Sequence, residues 1–385
     1  MVSENVTSDV MYNLTYHVIH NVTDDSQTTF PEDLSQQPYP YPLEFKPVWE
    51  VAVKTLLYVP VIVFAIIGNV VVILVVVKNK RMQTTTNYYI VNLAVADCLV
   101  ALACSWPHLV DDLTPFWILG AFFCTLNTFS QVLALVASMF TLTCIACDRF
   151  FGIVFAMKAH FIERRASFTI ILIWLLSVAV ASPLLYYRRL SQEHWKDVTE
   201  SWCDDAWPLS YSVDPETNDV ISHSTPRRFY YMFVCVALFF VPCLAMSVAY
   251  LVIIVTLWSA QVPGERISKD IKSQTKMRKR IILMLVVILA VFFLCWSPLT
   301  ISLIYSEFIH GRQTKMDDWY HHFQYFARYL AHFNSLINPV IYAGFNDNFK
   351  KGFQNLCRGG ERRTRYNTMV SRADSFQSST HITKV

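Results

Sequence analysis

The sequence predicts an all-α membrane protein, a bundle of seven transmembrane helices with a short amphipathic helix after the seventh span. Three observations predict this fold class. Hydrophobic residues make up 54% of the 385 residues and charged residues only 16%, against about 25% in an average soluble protein. Seven apolar stretches are each long enough to cross a bilayer, and basic residues concentrate on one side of them.

The seven spans follow from length. About 20 apolar helical residues cross the hydrocarbon core of a bilayer, and seven stretches meet that length: 55–77, 88–110, 122–151, 167–187, 229–258, 281–305 and 320–343. Because lipid offers no partners to open backbone groups, we expect each of them to be a helix. Six spans contain a proline at which we expect a kink: Pro60, Pro107, Pro183, Pro242, Pro298 and Pro339.

The charge distribution predicts the orientation. Segments 78–87, 152–166, 259–280 and 345–385, with Asp148 and Arg149, carry 22 Lys and Arg against 7 Asp and Glu, whereas the opposite side carries 10 against 21. The positive-inside rule places the basic side in the cytoplasm. Three N-x-Thr sequons, at Asn5, Asn13 and Asn21, lie on the predicted outer side. We therefore expect a glycosylated outer N-terminus in the plasma membrane.

Four regions are expected along the chain. Residues 1–50 form a disordered extracellular head, and the first span directs insertion because no signal peptide precedes it. Residues 51–345 form the bundle. Residues 346–357 form an interfacial amphipathic helix, because apolar and basic positions alternate there at helical spacing. Residues 358–385 form a disordered cytoplasmic tail, and Cys357 is a candidate for palmitoylation, with a free thiol as the alternative.

Polar residues inside the spans point to a functional interior. Asp97 lies in the middle of the second span, where an unpaired charge is costly. Asn69, Ser138, Asn334 and Asn338 offer further oxygens at a similar depth on other spans. The set predicts an ion or proton site, with simple packing as the alternative. No other cofactor is expected.

Two further patterns are weak signals when taken singly. Asp148 and Arg149, followed by Phe150, end the third span, and an interfacial ion pair is their alternative interpretation. Phe292 and Trp296 are four residues apart, so they share one helix face beside a proline. Packing alone would also explain that pair.

In this order, these residues resemble the motif set of the class A, rhodopsin-like G-protein-coupled receptors: Asn69, Asp97, Asp148, Arg149, Trp174, Pro242, Tyr250, Trp296, Pro298, Asn338, Pro339 and Tyr342. The resemblance covers residues 54–357. It implies that an allosteric sodium ion binds at Asp97, Ser138, Asn334 and Asn338. It also implies that Arg149 is released to meet a heterotrimeric G protein. Trp296, with Phe292, senses the ligand, and Tyr250 and Tyr342 swing inward.

The resemblance carries further implications and two departures. It implies a disulfide between Cys124 and Cys203, with two free thiols as the alternative. A receptor kinase and an arrestin would act on the tail hydroxyls, unless that tail is merely solvated: Ser371, Ser375, Ser378, Ser379 and Thr380. Phe150 replaces the usual tyrosine, and Ala156 stands where the second inner loop usually has proline, although Met157 keeps the next apolar contact. These departures bear on coupling strength.

The outer face predicts a basic peptide ligand. Gln131 lies 18 residues before Arg149, about 27 Å along a helix, where the amine receptors of this family carry an aspartate. Loop 188–228 and the head hold eight acids each, which would attract a cationic peptide; acids that serve only solubility are the alternative. Glu307 is a candidate partner for a ligand Arg or Lys, with a solvated carboxylate at the rim as the alternative. Arg328 would take a ligand carboxylate, a C-terminal amide or Glu307. Further candidate lining residues are His108, Asp204, Tyr231 and Gln324.

Within the family, residues 257–264, Gln131 and the acidic pair after Cys203 resemble receptors for orexin, allatotropin, trissin and neuropeptide FF. That resemblance implies a neuropeptide ligand and leans toward calcium-mobilising coupling. A receptor for a non-peptide ligand is the alternative. A transporter or channel would use Asp97 but would show internal repeats, and none is found. A membrane enzyme would need a motif such as HExxH or GxSxG, which is also absent from the sequence. We expect no nucleic-acid partner.

Overall fold

The computed structural model describes residues 34–40, 42–43, 45–155, 166–213, 220–259, 269–309 and 318–354. Several predicted features lie outside these residues: the sequons at Asn5, Asn13 and Asn21, the loop positions Ala156 and Met157, Cys357 and the tail hydroxyls.

The described residues contain eight helices. They are α1 (Val48–Lys78), α2 (Thr85–Leu113), α3 (Gly120–Val154), α4 (Ala166–Tyr187), α5 (Thr225–Ser259), α6 (Lys269–Ile309), α7 (Asp318–Phe345) and α8 (residues 347–354). Two single 3-10 turns occur at Leu34–Gln36 and Lys80–Met82. The seven predicted spans lie, in order, inside α1 to α7. The helices run beyond the spans because helical hydrogen bonding does not stop where the apolar stretch ends.

Six helices, α1 to α6, are long and apolar enough to cross a membrane. Helix α7 is more polar, because it carries Arg328 and three histidines. It nevertheless packs along α1 and α6. Ala327, Ala331 and His332 are almost completely buried, so much of its polar surface faces other helices. The seven helices form a multi-pass membrane bundle.

Helix α3 packs against α2, α4 and α5. Helices α1, α2, α3, α5, α6 and α7 contact each other in that order, and α7 closes the ring by packing on α1. Helix α4 packs outside this ring, against α3 and α2. Every residue of α3 from Val132 to Met139 is buried, so this helix is enclosed by its neighbours at mid-height.

Three helices are irregular next to a proline. A π-helical segment, Ala101–Ser105, comes before Pro107 in α2, and another, Phe233–Phe240, comes before Pro242 in α5. Ser182 interrupts α4 directly before Pro183. Proline has no N–H group to donate within a helix, and a wider π-helical turn accommodates the missing hydrogen bond. The other three prolines lie inside continuous helices.

Two β-hairpins, which the sequence did not predict, connect α4 to α5. Strand β1 (Arg188–His194) pairs with β2 (Thr199–Asp205), and β3 (Ser210–Val213) pairs with β4 (Val220–His223), both antiparallel. The predicted disulfide is confirmed: Cys203 of β2 is bonded to Cys124 in the first turns of α3. It fixes the first hairpin to one end of the bundle, which we call the hairpin end.

Helix α8 marks the opposite end, which we call the α8 end. Asn346 caps α8, because its Oδ1 accepts a hydrogen bond from the backbone nitrogen of Asn348 at 3.0 Å. Phe349 is completely buried and stacks on Tyr342 of α7, with ring centroids 5.5 Å apart. The apolar face of α8 therefore packs on the bundle, as the amphipathic pattern predicted.

Candidate functional site

Two of the predicted ligand residues meet at the hairpin end. Nε2 of His108 on α2 lies 3.3 Å from Oε1 of Gln131 on α3. The ring of His108 lies 5.2 Å from the ring of His332 on α7. Both ring nitrogens of His332 and Nδ1 of His108 are buried without a hydrogen-bond partner among the described residues. These side chains form a polar cluster with unused hydrogen-bonding capacity.

Glu307 has a partner that the sequence analysis missed. Its carboxylate lies 2.8 Å from Nε of Arg227, and its side chain is only 8% exposed. Arg227 lies in the first turn of α5, where its backbone nitrogen donates to the capping hydroxyl of Ser224. Arg328 does not pair with Glu307 as considered above; it lies 3.8 Å from Asp111 of α2 instead. The sequence feature that could have suggested this ion pair was the basic residue at the start of α5.

Strand β2 brings its acids onto two helices. Asp205 lies 3.1 Å from Arg188 and accepts a short hydrogen bond from the hydroxyl of Tyr231 on α5. Asp204 lies 3.7 Å from Arg188, and about half of its side chain is exposed. Burial acts to lower the pKa of Arg188, but the Asp205 and Asp204 carboxylates raise it overall. Gln324, the remaining predicted residue, is half-buried on α7.

A further ion cluster, also absent from the sequence analysis, joins α1, α2 and α7. Nζ of Lys54 lies 2.7 Å from Glu50 and 2.6 Å from Asp112. The same ammonium lies 4.7 Å from the centroid of the Tyr325 ring. Charged side chains at the hairpin end are thus held mainly by opposite charges on neighbouring helices.

In the middle of the bundle, Asp97 is buried and accepts a hydrogen bond of 2.8 Å from the amide of Asn338. The amide of Asn69 donates to the backbone oxygens of Ala65 and Ser335, which ties α1 to α7. Three buried amide oxygens on α1 and α7 lack a hydrogen-bond partner among the described residues: Asn69 Oδ1, Asn334 Oδ1 and Asn338 Oδ1. Ser138 is buried as well. This all-oxygen donor set has the chemistry that hard cations prefer.

Trp174 is connected to this interior through α2. Its indole nitrogen donates to Oδ1 of Asn92 at 2.8 Å, and the Asn92 amide donates to the hydroxyl of Thr141 at 2.8 Å. Helices α4, α2 and α3 are therefore joined by one chain of hydrogen bonds.

At the α8 end, Arg149 is tethered to its neighbours. Its Nη2 lies 2.9 Å from Oδ2 of Asp148 and also donates a short hydrogen bond to the hydroxyl of Thr86 on α2. Thr86 in turn donates to Asp148 at 3.2 Å. The sequence analysis did not identify Thr86, because a single hydroxyl at a helix start carries no specific signal.

A cavity of about 160 Å³ opens beside this triad. It lies between α3 and α6 and is lined by Asp148, Arg149, Gly152, Ile153, Arg278, Ile281 and Ile282. Two guanidinium groups and several isoleucines give it a cationic rim and an apolar wall. Such a surface suits a partner helix that carries apolar and acidic or carboxyl-terminal groups.

Buried aromatic residues lie between the two ends. The rings of Phe292 and Trp296 on α6 are 6.0 Å apart, and Phe292 lies 6.2 Å from Phe239 of the π-helical segment in α5. The indole nitrogen of Trp296, beside Pro298, has no hydrogen-bond partner among the described residues. The hydroxyl of Tyr342 is likewise buried and unpaired, and Tyr250 on α5 is buried. Pro339 contacts α1 at Gly68.

Comparison with known families gives one match over most of the bundle. A family model described as "7 transmembrane receptor (rhodopsin family)" matches residues 68–342. That range runs from Gly68, about two thirds of the way along α1, to Tyr342 in α7, and it includes all twelve residues of the motif set from Asn69 to Tyr342.

Individual relatives are more distant. The tachykinin-like peptides receptor 86C of Drosophila melanogaster is 28% identical over 90% of this chain and 66% of its own length, so the chain spans just under two thirds of it. The substance-P receptor of Mus musculus is 27% identical over 81% of this chain and 72% of its length. Neuropeptide FF receptor 2 of Mus musculus is 29% identical over 77% and 70%.

Proposed function

Because the chain belongs to the rhodopsin family of seven-transmembrane receptors, we propose that it is a neuropeptide receptor of the plasma membrane. In this proposal the hairpin end is extracellular and binds a basic peptide, and the α8 end is cytoplasmic and activates a heterotrimeric G protein. The charge distribution of the sequence supports this orientation. The three relatives, a tachykinin-like peptides receptor, a substance-P receptor and a neuropeptide FF receptor, support the ligand class.

The observation that carries the ligand class is the ion network at the hairpin end. Three carboxylates, Glu307, Asp204 and Asp205, lie near Arg188 and Arg227, and the charge of Arg228 also acts on Glu307. Asp204 is half exposed and lies 3.7 Å from Arg188, so it offers a carboxylate to a ligand that brings a positive charge. Gln131 is neutral and already lies against His108, so this position offers no carboxylate to an amine.

Ligand binding shifts the bundle only by as much as the ligand prefers one arrangement over the other. The buried rings of Trp296, Phe292 and Phe239 carry that preference from the hairpin end toward the α8 end. Arg149 then leaves Asp148 and Thr86, the cavity beside α6 widens, and the G protein occupies it. Tyr250 and Tyr342 turn inward and support the widened cavity, and the unpaired hydroxyl of Tyr342 is free to take a new partner.

A sodium ion would be held at Asp97, with Ser138, Asn334 and Asn338 as further oxygen donors. The unpartnered amide oxygens of both asparagines support this fit. The ion would supply the positive charge that the buried carboxylate lacks. A receptor kinase and an arrestin would act on the tail, and Cys357 would be palmitoylated, with glycans at Asn5, Asn13 and Asn21; all of these positions lie outside the described residues.

The direct test is an Arg149→Ala variant. Synthetic neuropeptides are screened in cells that express the chain with a promiscuous G protein, and a peptide that activates it is used as the probe. We expect the variant to lose peptide-stimulated nucleotide exchange and to keep measurable peptide binding. Lys351→Ala, which removes an exposed charge on α8, should retain exchange. Unchanged exchange in the Arg149 variant would contradict the mechanism, and activation by non-peptides alone would contradict the ligand class.

A further inference from the structure

The ion pair between Arg227 and Glu307 connects α5 to α6 at the hairpin end. Glu307 is nearly buried, and Arg227 is about one fifth exposed. A pair with so little access to water is held firmly, because either partner alone would be left as an uncompensated charge. Any ligand group that reaches Glu307 must therefore take over the role of the Arg227 guanidinium.

Arg227 has an alternative acidic partner besides Glu307. It interacts electrostatically with Asp204 and Asp205 of β2 as well as with Glu307, and its guanidinium carbon lies 6.0 Å from the centroid of the Tyr231 ring. Asp205 already has Arg188 and Tyr231 as close partners. Asp204 is held only loosely by Arg188 and is half exposed, so it can accept another cation.

We propose that Arg227 occupies, in the ligand-free receptor, the place on Glu307 that a ligand guanidinium or ammonium group takes, and that the ligand binds by exchange as Arg227 passes to Asp204. The inference rests on the proposed function, since it needs a cationic ligand at the hairpin end. After the exchange, Glu307 pairs with the ligand cation, and Asp204, which Arg188 approaches only to 3.7 Å, pairs with Arg227.

The exchange makes Arg227 a specificity-determining residue. A neutral ligand group cannot replace it, because Glu307 would then be buried with no opposite charge. A cationic group can, and the freed Arg227 then joins α5 to strand β2 in place of α6. Release of α6 from α5 at this end thus accompanies binding of the correct ligand class and no other.

The test uses ethylguanidinium, a small stand-in for an arginine side chain, with the purified full-length chain in lipid nanodiscs. Thermal unfolding is followed by tryptophan fluorescence over a range of ethylguanidinium chloride concentrations, with tetramethylammonium chloride to match ionic strength. Arg227→Ala should bind ethylguanidinium at least about tenfold more tightly than the wild-type chain, seen as a midpoint that rises at lower concentrations. The double variant Arg227→Ala with Glu307→Gln should show no such rise.

Arg189→Ala is the matched control, because it removes one positive charge from the same hairpin end at a residue that stacks on Tyr186 rather than on Glu307. It should respond as the wild type does. If Arg227→Ala is not recovered as folded protein, Arg227→Gln keeps most of the side-chain volume and serves the same measurement.

Two results would overturn the proposal: equal affinity of wild type and the Arg227 variant for ethylguanidinium, or an equal response in the double variant. The measurement contains neither peptide nor G protein. Tighter ethylguanidinium binding without any activating basic peptide would reject the proposed function and leave the Arg227 exchange site standing. A basic peptide agonist with no gain for the Arg227 variant would reject the exchange alone.

Discussion

Buried polar groups are paired differently at the hairpin end and in the middle of the bundle. At the hairpin end, charged side chains find partners of opposite charge on neighbouring helices, as Arg227 does with Glu307 and Lys54 with Asp112. In the middle of the bundle, neutral polar atoms are left without partners among the described residues, and Trp296, Asn338 and Tyr342 are examples. The hairpin end thus combines a network of ion pairs with a few unpaired histidine nitrogens, whereas the middle of the bundle holds mainly unpaired neutral groups.

This difference indicates a different role for each region. An ion pair is satisfied in one arrangement and can be satisfied again if a second cation replaces the first, which suits a region that exchanges partners with a ligand. A buried polar group without a partner raises the free energy of the arrangement in which it is unpaired. A different arrangement of the helices, or a bound ion, can supply the missing partner and so becomes more favourable. This property suits a region that changes conformation.

The largest effect that separates the two regions should come from the disulfide. Cys203→Ser frees β2 from α3, and a bond across a sequence separation of 79 residues contributes up to about 4.5 kcal/mol in the chain-entropy model. We expect peptide binding at the hairpin end to be lost while basal nucleotide exchange persists. Both are measured on the same membranes, with Cys147→Ser, an exposed free cysteine on α3, as the control. Equal loss of both activities would show that the two ends are not separable.

A smaller effect should come from the contact between α1 and α7. A Cβ added to Gly68 would lie 2.9 Å from Cγ of Pro339, so Gly68→Ala forces the helices apart near Asn338. We expect about 1–3 kcal/mol of destabilisation, measured as a lower unfolding midpoint, with reduced signalling and nearly unchanged peptide affinity. Gly344→Ala on α7 meets nothing within 4 Å and should be neutral. Equal midpoints for the two variants would contradict the tight contact.

The smallest effect concerns pH at the hairpin. Glu200 is buried and accepts hydrogen bonds from the Trp195 indole at 3.3 Å and from the Tyr39 hydroxyl at 3.4 Å. Burial raises the pKa of Glu200, and the Glu193 carboxylate opposite it adds to the rise. The folded hairpin therefore prefers the protonated acid, so its stabilisation is fully present below the unfolded pKa and is lost as pH rises through the folded pKa.

Amide hydrogen exchange in β1 and β2, corrected for intrinsic rates, measures this dependence from about pH 4 upward. The wild-type hairpin should lose protection as pH rises. Glu200→Gln should make protection nearly independent of pH, and Glu193→Gln should reduce the dependence without removing it. An unchanged pH profile in the Glu200 variant would assign the effect to other groups.

The helical framework could be predicted from the sequence because membrane spans are defined by length and apolar composition alone. Seven spans, the disulfide and the amphipathic helix were all predicted and are present. The hairpins were not predicted, because β1 is almost entirely polar and has no alternating apolar pattern; a disulfide and the end of the bundle hold it in place. The local residue pattern does not show contacts with residues that are distant in the sequence.

The site was predicted in part for a similar reason. Asp97 stood out because charged groups are rare inside spans, Gln131 because of its spacing from Arg149, and Glu307 as an acid at the outer end of the sixth span. Asn338, which donates to Asp97, and His108, which lies against Gln131, were also predicted. Arg227 was not, since the sequence alone does not show which face of α5 meets α6. Arg227 and Glu307 are 80 positions apart, and their contact depends on the rotation and tilt of two helices. Thr86 depends in the same way on the packing of α2 against α3.

The central claim is that the hairpin end and the α8 end face opposite sides of the membrane. The most direct measurement places one epitope tag before residue 1 and another after residue 385, and labels intact and permeabilised cells with antibody. The account predicts that the first tag is labelled on intact cells and the second only after permeabilisation. Labelling of both tags on intact cells would contradict it.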